Sequence, residues 1–466
     1  MNTLQAIGRA AGILLHPTSL PSGKADADAY HWIDWLAESG MRVWQMLPLG
    51  VPLVELSPYQ CASAFAVNPA LFATDLGEFD ANQYAQWYKE QRHWVEDYAL
   101  FMVLKQQFQG REWHEWPQPF RNRDPQALFR LRGEQAEALS AIIHEQYECW
   151  RQWQALRRHA GQRGVHLFGD MPIFVAYDSA DVWAHPERFL LDASGAPTFV
   201  TGVPPDYFSA TGQRWGNPHY NWEKMQAENF LWWRQRLQYH FEFFSLVRLD
   251  HFRGLAASWM IPAHEETAIN GEWRAVPGDA MLASIQQEMG AIPLVAEDLG
   301  IITPDVTALR DKYGLPGMSV LQFAFDHFAD NPHKPQNVGG NTVYYTGTHD
   351  NDTLLGWFDS LDASVRHQIM QALGAASEEA VPDAMLDTIL GSKASLAVIP
   401  LQDLLHLGSE ARMNTPGTAY GNWRWRFHWE DIPATMAPQL HHKLEGHQRN
   451  EREPESDTTR QTSRPV

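Results

Sequence analysis

Short apolar runs recur along the chain, each too brief for a helix and with little alternation between apolar and polar positions. A strand that carries apolar side chains on both faces belongs inside a parallel sheet covered on both sides. Eight runs stand out, at residues 12–15, 42–47, 165–169, 245–249, 293–296, 319–323, 342–346 and 395–399. Helical periodicity fills several of the gaps, at 30–39, 146–160, 230–244 and 280–289, and Gly40 marks a stop after the first. Eight strands interleaved with helices predict an α/β fold, a closed (β/α)8 TIM barrel. Two gaps, 48–164 and 170–244, are too long for one helix each and predict helical and loop-rich insertions after strands two and three. An open doubly wound sheet is the structural alternative, but it wants a glycine-rich turn after its first strand, and His16-Pro17-Thr18-Ser19-Leu20-Pro21 offers none. Residues 1–430 therefore read as a single barrel with inserted subdomains at about 51–160 and 171–244. Residues 431–466 read as a polar, partly disordered tail, since 445–465 holds no aliphatic or aromatic side chain.

Composition narrows the function. Of 466 residues, 44% are hydrophobic and 20% charged, ordinary values for a folded protein. Acidic residues outnumber basic ones by 56 to 36, giving a net charge of −20 that would repel phosphate backbones, so nucleic acid is not expected as a partner. Twenty tryptophans exceed what a core needs and predict some as binding platforms. Cys61 and Cys149 have no paired framework, which points to a reducing compartment, the cytoplasm. No apolar run is long enough to span a bilayer, and residues 10–15 read as a buried strand rather than a signal peptide, so no membrane association is expected. Nucleotide-binding loops and metal-ligand spacings are not found, and neither cofactor nor metal is expected.

In a barrel of this kind, chemistry collects where strands end at the C-terminal face. Asp250, Glu297 and Asp350 each stand at such an end. One acid after a strand is most often a helix cap or half of a surface ion pair. Three of them, flanked by Arg248, His251 and His349, point to a shared site. Two carboxylates and a helper suit cleavage of a glycosidic bond with retention, one attacking the anomeric carbon and the other shuttling the proton. Arg248, two residues before Asp250, projects to the same side of the strand and would favour a charged nucleophile. Apolar neighbours such as Leu294 and Ala296 would desolvate Glu297 and raise its pKa, as an acid needs.

Eight motifs carry a family resemblance: GILLHPTSLPS (12–22), SPYQCASAFAVNP (57–69), GDMPIFVAYDSADVWAHPERF (169–189), TGVPPDYFSATGQRWGNPHYNW (201–222), VRLDHFRG (247–254), AEDLG (296–300), TGTHDND (346–352) and IPLQDLLHLGSEARMNTPGTAYGNW (399–423). In this order they resemble the amylomaltase, or disproportionating enzyme, family of 4-α-glucanotransferases. The resemblance implies Asp250 as nucleophile, Glu297 as general acid and base, and Asp350 as the carboxylate that favours the distorted sugar ring. It implies that Arg248, His251 and His349 bond the reacting glucose or the nucleophile, and that Ser57, Tyr59, Asp206, Gln213, Trp215 and Asn422 line the donor and acceptor subsites. The implied partners are α-1,4-glucan oligosaccharides and glucose, and the implied reaction passes a glucan segment to a 4-hydroxyl. An α-glucan hydrolase on the same carboxylates and a non-catalytic glucan-binding protein are the alternatives. Residues 201–216, with Gly202, Gly212 and Gly216 around Pro204-Pro205, read as a lid loop. Residues 50–56 depart from the family's glycine-rich pattern, and positive φ angles are not expected there.

Overall fold

The computed structural model describes residues 4, 7–53, 55–73, 79–205, 209–418 and 420–450. All eight apolar runs become parallel strands: β1 (Ala10–Leu14), β2 (Val43–Gln45), β3 (His166–Met171), β4 (Leu246–Leu249), β5 (Leu294–Ala296), β6 (Gly317–Val320), β7 (Thr342–Tyr345) and β8 (Leu396–Pro400). They pair in the order β6-β7-β8-β1-β2-β3-β4-β5, a sheet nearly closed into a barrel. Between β5 and β6 the Ala296 N–H donates to the Pro316 carbonyl at 2.8 Å. Asp298, just past β5, accepts from the Met318 N–H at 2.7 Å and pairs with Arg310.

The missing alternation has a direct cause. One face of each strand fills the barrel, with Leu14, Val43, Phe168, Leu246, Val295, Val320, Val343, Tyr345 and Val398 in a single cluster. The opposite face, including Ile13, Trp44, Leu167, Val247, Leu294, Tyr344 and Ile399, packs under the surrounding helices. Gly12 is required where β1 meets β2, because a Cβ there would stand 2.5 Å from the Val43 carbonyl oxygen. Toward the C-terminal mouth the inward positions turn polar. Gln45, Asp170 and Arg248 occupy the next inward places on β2, β3 and β4, and the Tyr345 hydroxyl donates to Gln45 at 2.9 Å. The lower barrel is thus sealed by apolar side chains while its mouth is lined with charge.

The connection from β2 to β3 holds two 27-residue helices, Ala81–Gln107 and Ala136–Gln162, packed on each other. The lid loop expected at 201–216 is flanked by paired strands, and its residues 206–208 lie outside the described residues. Phe199–Val203 and Gln213–Pro218 pair antiparallel, and with Ala257–Pro262 and Glu272–Ala275 they form a four-stranded sheet. The last two strands follow β4, so a third connection adds to the two long ones. Gly212, at φ +67°, ends a turn just before the strand Gln213–Pro218, its N–H donating to the Ser209 carbonyl at 3.1 Å. Most tryptophans, Trp32, Trp44, Trp87, Trp153, Trp183 and Trp233 among them, are core residues rather than platforms. Among the described residues no helix is long and apolar enough to cross a membrane.

The stretch expected to begin a polar tail instead carries a helix, Met436–Gly446. Ala437, Leu440 and Leu444 recur at three- and four-residue spacing and pack this helix on Ala27–Glu38. Arg449 follows, fully buried, donating to the carbonyls of Leu390 at 2.6 Å, Ala10 at 2.8 Å and Ala394 at 3.0 Å. It ties the chain to the N-terminal ends of β1 and β8. Leu444→Ala should cost about 2–5 kcal/mol, read as a lower urea midpoint, whereas an unchanged midpoint would show that the helix adds no packing.

Candidate active site

β4 delivers Arg248 inward and then Asp250 at the mouth. The Arg248 side chain is 6% exposed. Its Nη1 donates to both oxygens of Asp170, at 2.9 and 2.7 Å, and its Nη2 lies 2.9 Å from Asp250 Oδ1. Burial opposes the guanidinium charge, yet the two carboxylates outweigh it and hold the Arg248 pKa well above its usual value. Burial pushes Asp170 up, and Arg248 offsets this only in part. The network continues through Tyr59, whose hydroxyl donates to Asp170 Oδ2 at 2.7 Å and lies 2.8 Å from His349 Nε2. His349 in turn stands 3.5 Å from Asp350 Oδ1. A chain of polar contacts therefore joins Asp250 to Asp350 across the barrel mouth.

Glu297 follows β5 immediately. Its Oε2 accepts from the His251 N–H at 2.8 Å, and its Oε1 accepts from the Leu299 N–H at 2.9 Å. His251 adopts a left-handed backbone, φ +52°. For a residue with a side chain that conformation costs about 1–2 kcal/mol. The turned backbone presents its N–H to Glu297, and the next N–H, from Phe252, bonds the Glu297 carbonyl at 3.0 Å. Burial pushes the Glu297 pKa up to about 7, with Arg248 pulling it down and the nearby charge of Asp250 adding to the rise. Such a carboxyl holds its proton near neutrality and can still release it. Burial also pushes the His251 imidazole down to about 4, against the pull of Asp250, so that ring is neutral at neutral pH. The ring meets Trp215 edge to face, with centroids 4.9 Å apart.

Asp350 sits in a turn after β7, its side chain half exposed. Asn414 Nδ2 donates to its Oδ1 at 2.6 Å, and Arg412 Nη2 donates to its backbone carbonyl at 2.7 Å. Within the turn, Asn351 Oδ1 accepts from both the N–H and the hydroxyl of Thr348, at 2.9 Å each.

The expected subsite residues divide. Trp215 projects from the hairpin toward His251, and Gln213 Oε1 accepts from its indole N–H at 3.0 Å. Tyr59 stacks on His349, with Ser57 two residues before it at the start of the same turn. Asn422 spends its side chain within its own loop, accepting from the Thr415 N–H at 2.9 Å and donating to the Thr418 carbonyl at 3.0 Å. Asp206 lies outside the described residues. The glycine-poor stretch also departs from expectation, since Glu55 and Leu56 adopt φ +44° and +66° without glycine. Glu55 is tied there by an ion pair with Arg424 at 3.4 Å. Asp170, Asn414 and Arg412 are contacts that residue-type reasoning missed. For Asp170 a signal exists: it lies two residues after the inward Phe168, as Arg248 lies two after the inward Leu246.

The chain is similar to known proteins along most of its length. A family model described as 4-alpha-glucanotransferase matches residues 15–79 and 70–431. A 4-alpha-glucanotransferase of Thermus thermophilus is 44% identical over 485 aligned positions, covering 92% of this chain and 96% of the relative. One from Synechocystis sp. is 41% identical over 488 positions, covering 93% and 96%. The solved amylomaltase of Streptococcus agalactiae in complex with acarbose superposes with a TM-score of 0.91 at 32% identity, covering 95% of this chain and 99% of that one.

Arg248→Met would leave Asp170 buried without its counter-charge. The expected loss is about 3–5 kcal/mol by chemical denaturation. Adding Asp170→Asn should recover most of it, and a loss under about 1 kcal/mol for the single variant would contradict the counter-charge role.

Proposed function

The chain belongs to the family of 4-alpha-glucanotransferases, and from that premise we propose that Asp250, Glu297 and Asp350 carry its reaction. The activity is the retaining transfer of an α-1,4-glucan segment from a maltodextrin donor to the 4-hydroxyl of glucose or another glucan. The supporting observation is the pairing of Asp250 with Arg248 beside a Glu297 whose pKa burial lifts to about 7.

In the first step a carboxylate oxygen of Asp250 bonds to the anomeric carbon as the glycosidic C–O bond breaks. Glu297 gives its proton to the departing oxygen, and the reducing-end fragment leaves as an alcohol. In the second step Glu297, now a carboxylate, takes the proton of an incoming 4-hydroxyl. That oxygen displaces Asp250 and restores the α linkage and the starting enzyme. Arg248 holds the nucleophile in place, with Asp170 sharing its other face. Asp350, steadied by Asn414 and next to His349, bonds the hydroxyls of the distorted ring. Neutral His251 adds a contact without a charge, and Trp215 offers a flat apolar face to a pyranose.

Transfer must outrun hydrolysis, although water is present at about 55 M. An acceptor sugar seated in a near-attack pose gains effective concentration, and exclusion of bulk water around it would favour the sugar hydroxyl further. The substrates are α-1,4-glucan oligosaccharides and glucose. The unpaired Cys61 and Cys149 favour a reducing, cytoplasmic setting.

Maltotriose should yield glucose and a ladder of longer chains with no net gain in reducing ends. A steady rise in reducing ends would mark a hydrolase instead. Asp250→Ala should lower turnover by about a thousandfold or more while glucan binding persists, and equal activity of variant and wild type would remove Asp250 from the mechanism. Glu297 must begin protonated, so kcat/KM should fall as pH rises through about 7, and Glu297→Gln should lack that limb.

A further inference from the structure

The turn that carries His349 and Asp350 is held at both ends by one side chain lying outside it. Asp403 stands just past β8 in the short helix Leu401–Leu404, and it is 1% exposed. Its Oδ2 accepts from the Thr346 hydroxyl at 2.5 Å. Its Oδ1 accepts from the Leu354 N–H at 2.7 Å. Thr346 is the residue at which β7 gives way to the turn, and Leu354 opens the helix Leu354–Asp359 that follows it. One carboxylate thus spans the turn from its entrance to its exit.

The surrounding bonds show what Asp403 adds. Gln322, after β6, donates its N–H to the Thr346 carbonyl at 3.2 Å and its amide to the Asp352 carbonyl at 3.0 Å. Thr348 and Asn351 shape the middle of the turn, and Arg412 and Asn414 grip Asp350 from the outer side. Arg412 and Asn414 follow Asp403 along the same segment after β8, so that segment frames the turn from two directions. A carboxyl this deeply buried is costly, and an apolar residue would suit a position that served packing alone. Both of its oxygens are occupied by the turn's two ends.

We propose that Asp403 is a positioning residue for the transfer reaction: by fixing both ends of the 346–354 turn it holds Asp350 and His349 at the sugar ring. The proposal rests on Asp350 acting as described above. Misplacement of a reacting or orienting group by about 1 Å costs on the order of a hundredfold in rate. Gln322 braces the same two ends through backbone carbonyls, and Asp403 adds the Thr346 hydroxyl and the Leu354 N–H, so its loss loosens the turn and acts on turnover more than on ground-state binding.

The test uses maltotriose disproportionation by the full chain, with folding checked by circular dichroism and urea titration. Asp403→Ala should lower kcat by about a hundredfold with KM within about threefold. Asp403→Asn should keep kcat within about fivefold of wild type, because its amide oxygen still accepts from Leu354 and its NH2 donates to the Thr346 hydroxyl oxygen. Thr346→Val should lower kcat, and Thr346→Ser should not, a pair that keeps the test decisive if Asp403→Ala fails to fold. The proposal is overturned if folded Asp403→Ala keeps wild-type kcat, if Asn and Ala are equally impaired, or if Thr346→Val and Thr346→Ser behave alike. Asp350→Ala separates the two readings. Full activity there removes the role of Asp350 itself, whereas an inert Asp350→Ala beside a fully active Asp403→Ala sinks only the positioning role.

Discussion

Arg248 is a guanidinium buried at the mouth of a barrel, with Asp170 on one side and Asp250 on the other. Each group would be expensive to bury alone. An unpaired carboxylate or guanidinium in a low-dielectric interior costs several kcal/mol, and removing one partner of a buried pair typically costs about 3–5 kcal/mol. The carboxylates keep Arg248 charged, and Arg248 keeps Asp250 fixed in direction. The same charge pulls on Glu297, whose burial wins and leaves its pKa near 7. Arg248 thus holds Asp250 directly, while burial, against the pull of Arg248, keeps the proton on Glu297 at the neighbouring strand end.

Backbone geometry tempers the effect of burial on Glu297. The left-handed turn at His251 aims an N–H at Glu297, and Leu299 supplies a second from the other side. These two bonds favour the charged form of Glu297 and temper the desolvation, so its proton is held near neutrality without being locked in place. Across the mouth, Asp350 remains half exposed and is oriented by Asn414, His349 and the anchored turn beneath it. Asp250 and Asp350 are partly exposed at the opening, and Asp170 and Arg248, which hold Asp250, lie one layer deeper.

Much of this was legible in the sequence. The eight apolar runs became the eight barrel strands because both faces of each strand are covered, which erases alternation and leaves continuous apolar stretches. Ends shifted by a few residues, as at 319–323, where the chain leaves β6 after Val320 and turns into a short 3-10 helix. The four-stranded sheet was not legible, since a strand such as Glu272–Ala275 is exposed along its whole length and leaves no apolar signature. The helix at Met436–Gly446 was missed because three apolar residues suffice to dock it, and the polar remainder dominates its composition. At the mouth, residue type and spacing marked Asp250, Glu297 and Asp350, whereas Asp170 showed only its two-residue offset from the inward Phe168 and Asp403 gave no sign. A single polar residue inside or just past an apolar strand looks the same whether it faces a partner charge or a solvent edge. Asn422 shows the converse, a polar side chain in a family motif that turns back on its own loop.

The most direct measurement of the central claim is the position of the covalent intermediate. In Glu297→Gln, an α-maltosyl fluoride donor can react without an acid, because fluoride leaves unaided, while the second step lacks its base. Intact-protein mass spectrometry should then show one maltosyl unit added, and peptide mapping should place it on Asp250. An adduct on any other residue, or unimpaired turnover with no adduct in a chain lacking the Asp250 carboxylate, would contradict the account.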